Sequence, residues 1–246
     1  MTRNPADWIP YCGAAPVPPE LFARWNLDPL LLLGLVLASV AVWHIRPLRG
    51  VQGIAALAIT VFLFVTPFCA LGSALFAARV VHHLLLALAL GPLLAVALTD
   101  VRWLERWSLP VLTAVQALVF WAWHAPSLYA LALSNDAAFW LMQVSITVTA
   151  ALWWAKLRRS AAAAAVGALL ATMVQMGLLG ALITFAGRAL YAPHWSSTQA
   201  WGFSPLEDQQ IAGLIMWAPA AAAYLLVAVT ILYRSLARAD ARAVRV

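Results

Sequence analysis

The chain has 246 residues, 65% of them hydrophobic and only 10% charged, with a formal net charge of +6. Soluble domains are roughly 45–50% apolar and about 25% charged, so this composition excludes an ordinary water-soluble protein and points to helices in lipid. The isoelectric point near 10.0 does not imply a nucleic-acid partner, because the basic residues fall in short segments between apolar runs, where they set membrane topology.

Residues 1–28 form a proline-rich lead-in containing Pro16-Val17-Pro18-Pro19. It has no early apolar core and does not read as a cleavable signal. Apolar runs follow at about 29–45, 51–69, 79–98, 110–128, 137–155, 161–186 and 208–233. Each approaches the roughly 20 residues that span hydrocarbon, and only a helix satisfies its own backbone there. The expectation is an all-α polytopic membrane bundle of seven transmembrane helices. It divides into an extracytoplasmic tail (1–28), a transmembrane domain (29–236) and a basic cytoplasmic tail (237–246).

Arg46 and Arg49, Arg102 and Arg106, Lys156, Arg158 and Arg159, and Arg234, Arg238, Arg242 and Arg245 fall on one side of that bundle. Arg3, Arg24, Arg79 and Arg188 fall on the other. The positive-inside rule then puts the N-terminus outside and the C-terminus in the cytoplasm. Ser204-Pro205-Leu206-Glu207 carries the cap, first-turn proline and third-position glutamate of a capping box, and opens the last helix. Asp208 adds a carboxylate that the dipole of that helix favours. Ala163, Gly167 and Ala171, at four-residue spacing, suit close helix packing.

The polar residues converge on the outer third of the bundle. His82 and His83 sit one turn into the third helix, His124 ends the fourth, and Met142 and Gln143 lie two turns into the fifth. Gln209 and Gln210 open the seventh, and His194 lies in the loop before it. His44, at the opposite side, reads as an interfacial anchor. Neighbouring helix positions point about 100° apart, so His82 and His83 cannot face one site. His83 shares a face with Arg79, which leaves His82 for lipid headgroups or another helix. Imidazole with thioether suits Cu(I), whereas carboxylates favour harder ions. Met142, Met173, Met176 and Met216 are the candidate sulfur donors, against the plainer reading that they are packing residues. Cys12 and Cys69, both near the outer face, form a disulfide, bind copper, or do neither; two cysteines are too few to decide. No phosphate-binding glycine loop, catalytic triad, paired-carboxylate site or zincin motif is present, so an enzyme is not expected.

The stretches His82-His83-Leu84-Leu85-Leu86 with Gly91-Pro92, Trp123-His124-Ala125-Pro126-Ser127-Leu128-Tyr129, and Pro205-Leu206-Glu207-Asp208-Gln209-Gln210-Ile211-Ala212-Gly213-Leu214-Ile215-Met216-Trp217 resemble the CtaG family of bacterial cytochrome c oxidase assembly factors. Tyr11-Cys12-Gly13 and Arg24 to Pro29 share the resemblance, which covers nearly the whole chain. It implies a seven-helix protein of the bacterial inner membrane that helps mature a haem–copper oxidase, with copper handling at the copper B centre as the expected role. Its partners would be oxidase subunits, a periplasmic copper chaperone and membrane lipid. Two features depart from the family pattern: Arg79 stands where members carry a histidine, and Met142-Gln143 where they carry a Glu-His pair. The implied copper ligands are then His83 and His124, assisted by Met216 or Met142, with Cys12 capturing the ion first. A metal-free scaffold for nascent oxidase subunits is the alternative, and a small-molecule transporter the third reading. Against the transporter, no inverted repeat is evident and no acidic residue lies within a helix to relay protons.

Overall fold

The computed structural model describes residues 10–44, 48, 50–98 and 101–243. Arg3, Arg46, Arg49 and Arg245, which enter the topology argument, lie outside them. Among the described residues the protein is helical and carries no strand. The α-helices run α1 (Pro29–His44), α2 (Val51–Phe64), α3 (Pro67–Ala74), α4 (Phe76–Leu85), α5 (Gly91–Leu94), α6 (Leu109–His124), α7 (Pro126–Ser134), α8 (Asp136–Arg158), α9 (Ala162–Thr184) and α10 (Pro205–Ala243).

Among the described residues, four stretches are long and apolar enough to cross a membrane: Phe76–Leu98, Asp136–Arg158, Ala162–Thr184 and Pro205–Ala239. Two bent pairs, α2 with α3 and α6 with α7, raise the number to at most six, and α1 is a shorter apolar helix. The protein is therefore a membrane-spanning helix bundle.

Prolines account for its irregularities. The residue before a proline is pushed out of the helical region. Ala125 accordingly adopts φ −67°, ψ 127° before Pro126, and α6 and α7 meet at 71°. Thr66 before Pro67 does the same, and its hydroxyl accepts from the Phe68 N–H; α2 and α3 bend by 47°. Between α4 and α5 a π-helical turn, Leu86–Leu90, precedes Gly91-Pro92. It relieves the clash between a proline ring and the carbonyl four residues back without breaking the span.

α9 and α10 make the most extensive helix pairing in the molecule. It does not use Ala163, Gly167 and Ala171, which are exposed; the buried face of α9 carries Ala165, Leu169, Thr172, Met176 and Gly180. The close approach is made by Gly180 and Gly213, each lacking the Cβ that would strike the other's carbonyl oxygen. The predicted capping box is formed: the Ser204 N–H donates to Glu207 and the Glu207 N–H to Ser204 Oγ. α10 then continues through Ala243, so most of the sequence assigned to a basic tail is the end of a long helix.

The lead-in is docked against the bundle. Cys12 is joined to Cys69 of α3 by a disulfide, and Tyr11 packs on Phe139 and Trp140 of α8. Trp201 Nε1–H donates to the Pro16 carbonyl at 3.0 Å.

Candidate functional site

The break at Pro126 leaves His124 as the last residue of α6, buried at 2% exposure. Its Nδ1 lies 2.7 Å from the Phe120 carbonyl oxygen. A carbonyl can only accept, so the neutral ring carries its proton on Nδ1 and its lone pair on Nε2. That Nε2 faces His83 Nδ1 at 3.5 Å. The two rings stand nearly perpendicular, 5.2 Å between centroids, and His83 Nε2 makes no hydrogen bond. Two helices distant in sequence thus bring two imidazoles together, as expected.

Tyr129, Tyr191 and His194 form a shell around Phe76, the first residue of α4. Tyr191 stacks on it at 3.7 Å, and the His194 and Tyr129 rings lie at 6.0 and 5.2 Å. Tyr129 Oη lies 2.7 Å from His194 Nε2. The Tyr191 hydroxyl donates to the His124 carbonyl at 2.8 Å. Sequence reasoning placed His194 in the loop; the structure buries it at 1% exposure. Tyr129 and Tyr191 were not singled out at all. The available signal for Tyr129 was its place in the Trp-His-Ala-Pro-Ser-Leu-Tyr stretch. Tyr191 sits in an irregular loop with no periodicity to mark it.

His194 belongs to the loop before α10, and burial pushes its imidazole down to about 3 from an ordinary value of 6.5. The sign follows directly. Below pH 6.5 the unfolded chain takes a proton on this ring that the folded one refuses, so stability falls as the pH drops from 6.5 toward 3. The slope is on the order of 1 kcal/mol per pH unit. A His194→Gln variant should lose part of the wild-type decrease in melting temperature between pH 7 and pH 5. Equal decreases in both would show that this ring is not the titrating group. Burial raises the Tyr191 hydroxyl instead, moving its ionisation still further from neutral pH, where it is a donor in any case.

Two residues from α10 pin this shell. Asp208 Oδ2 accepts from the Phe76 N–H at 2.7 Å and Oδ1 from the Ala77 N–H at 3.2 Å. The expectation that Asp208 serves the dipole of its own helix is thus incomplete: it caps α4. Gln209 accepts from the Leu190 N–H at 2.6 Å and donates to the Ile183 and Arg188 carbonyls. Gln210 is half-exposed beside Phe203 and Leu214, and no contact brings it to the histidines.

Arg79 is fully buried, so it does not act as a surface topology charge. No carboxylate pairs with it among the described residues. Its Nε–H donates to the Gly72 carbonyl, an Nη2 donor reaches Cys12 Sγ at 3.9 Å, and the guanidinium lies 5.3 Å over the Phe139 ring. Gly72 makes the room, since a Cβ there would sit 2.9 Å from the guanidinium carbon. His82 points away from His83, as the helix geometry requires, and is buried against Phe64 and Phe68 rather than lipid headgroups.

Met142 and Met216 are fully buried in the core, and Gln143 beside Met142 is buried with both amide atoms unpaired. Cys12 requires a correction: its sulfur is committed to Cys69, so in this form it has no thiolate to capture an ion. No group of three or more His, Cys, Asp or Glu side chains forms a metal cage among the described residues.

The model of the cytochrome c oxidase caa3 assembly factor family (Caa3_CtaG) matches residues 53–238, from within α2 to within the last turns of α10. The chain belongs to this family. The match takes in His83, His124, His194 and Asp208, and leaves the disulfide-tethered lead-in and α1 outside. No curated protein and no solved structure matches the chain. Membership makes it an oxidase assembly factor, suggests a non-catalytic role, and implies partners related to the oxidase.

Proposed function

We propose that this assembly factor carries Cu(I) as cargo on His83 and His124 and passes it to an oxidase subunit for the copper B centre. The carrying observation is the 3.5 Å gap between His83 Nδ1 and His124 Nε2, the latter presenting a lone pair. A metal–imidazole bond is about 2 Å, so one ion between the rings requires only a slight opening. Two nitrogens satisfy soft, low-coordinate Cu(I), whereas a structural zinc site asks for four ligands. An incomplete ligand set also favours release, which a delivery protein needs. Met142 and Met216 are the thioethers in the same core that would lengthen the ligand set during loading.

In this reading the protein spans the bacterial inner membrane seven times, α1 included, with the histidine cluster on the periplasmic side. The disulfide at that end favours an oxidising compartment. The basic residues Arg102, Arg106, Lys156, Arg158, Arg159, Arg234 and Arg238 gather toward the other end. The periplasmic face is where a copper chaperone would meet it.

The test is copper content after loading detergent-purified protein with Cu(I) and desalting, beside a folded His83→Ala/His124→Ala variant. Stoichiometric copper in the wild type and its loss in the variant are expected. Equal, near-zero copper in both would overturn the copper reading and favour a metal-free scaffold for oxidase subunits.

A further inference from the structure

At the end of the bundle opposite the histidines, α5, α8, α9 and α10 line an open cavity of about 700 Å³. Trp154, Leu157, Ala165, Val227 and Ile231 give it an apolar floor, and Arg158, Arg234 and Arg238 form its rim. Arg234 and Arg238 are one turn apart on α10 and so share a face. Arg158 is anchored by an Nη2 donation to the Pro92 carbonyl at 3.0 Å. None of the lining residues is acidic. The nearby Glu105 is engaged elsewhere, by Arg159 at 2.7 Å.

A second feature points to the same ligand. The 23-residue α9 begins at this cavity with Ala162, and its N-cap, Ala161, provides no side-chain cap. The first N–H groups of a helix have no intrahelical acceptor and form the positive end of its dipole. Side chains cap such groups at several other helices, Ser108 at α6, Asn135 at α8 and Asp208 at α4, whereas α2 and α7, like α9, start without one. At α9 no N-cap side chain takes them, and uncapped N–H groups at a helix start favour an anion.

We propose that this cavity is a binding site for an anionic phospholipid: phosphate oxygens at the α9 N-terminus, the three guanidinium groups around the headgroup, and an acyl chain over the Trp154–Ile231 floor. A soluble anion would have no use for that floor, and a zwitterionic lipid would gain less from an all-cationic rim. The site lies away from the histidine pair, so it stands or falls independently of copper.

The experiment uses delipidated full-length protein in neutral detergent, titrated with dioleoylphosphatidylglycerol or dioleoylphosphatidylcholine and read by native mass spectrometry. Each basic side chain near an anionic headgroup contributes roughly fivefold, so about tenfold or greater preference for the anionic lipid is expected. Arg158→Gln/Arg234→Gln/Arg238→Gln should reduce that preference to the phosphatidylcholine level, and Arg102→Gln/Arg106→Gln at the same end should not. Should the triple variant fail to fold, Arg234→Gln/Arg238→Gln is read in its place. Ile231→Trp, which fills the floor without changing charge, should weaken anionic-lipid binding. Equal binding of the two lipids by the wild type would overturn the proposal, as would a preference lost equally in the control variant. Displacement of the lipid by equimolar inorganic phosphate would overturn it too, in favour of a soluble-anion site.

Discussion

Replacing Asp208 with alanine is expected to destabilise the detergent-solubilised protein by about 3 kcal/mol and to stop oxidase maturation. The Asp208 side chain is 1% exposed, and its two oxygens accept the N–H groups of Phe76 and Ala77. Truncation leaves the buried Phe76 N–H and the part-buried Ala77 N–H without acceptors, at about 1–3 kcal/mol for a fully buried donor and less for the other. Loss of a helix cap alone typically costs about 1 kcal/mol. The damage is directed at the site. Phe76 carries the stacked Tyr191 ring, and His83 lies two turns further along the same helix. Asp208→Asn keeps one acceptor oxygen but turns an N–H₂ group toward the other donor, so it should recover only part of the loss. The checks are thermal unfolding and oxidase activity in a strain carrying each variant. An Asp208→Ala protein that melts with the wild type would show that the first turn of α4 holds without its cap.

That contact also marks where sequence reasoning stops. The helices were legible because apolar runs of spanning length leave the backbone no alternative. The capping box at Ser204–Glu207 was legible because it is local. His83 and His124 were legible as neighbours because the start of one predicted helix and the end of the next fall on the same side of the bundle. Asp208 does lie in the first turn of α10, but its contact with the start of α4 was not legible, since nothing in the sequence says that residue 208 meets residue 76. The stripe Ala163, Gly167 and Ala171 has the spacing of a packing face yet faces outward, because α9 is apolar all round and composition cannot choose its buried side. The Cys12–Cys69 bridge stayed undecided for the same reason: a pairing across 57 residues is a property of the fold.

A Gly213→Ala substitution should act on the site through packing alone. A Cβ at Gly213 would lie 2.6 Å from the Gly180 carbonyl oxygen and 2.8 Å from the Thr184 nitrogen. Both are backbone atoms, so no side-chain rotation relieves the overlap, and α9 and α10 must move apart. Overpacking of this kind costs about 1–3 kcal/mol. Gln209 sits one turn before Gly213 and holds the loop at Leu190 and Arg188 and the last turn of α9 at Ile183. Separating the helices there pulls on the segment that carries Tyr191 and His194, and through the Tyr191 bond on the carbonyl of His124. Oxidase maturation is therefore expected to fall with stability. Gly167→Ala is the internal control: it makes the same chemical change on α9, where a Cβ meets nothing within 4 Å. It should leave stability unchanged or raise it by up to about 1 kcal/mol, since alanine is the better helix former. Opposite signs for the two substitutions would place the Gly180–Gly213 contact among the determinants of the site. Equal effects would mean that α9 and α10 have enough slack to absorb a methyl group, and that the loop is held by Gln209 alone.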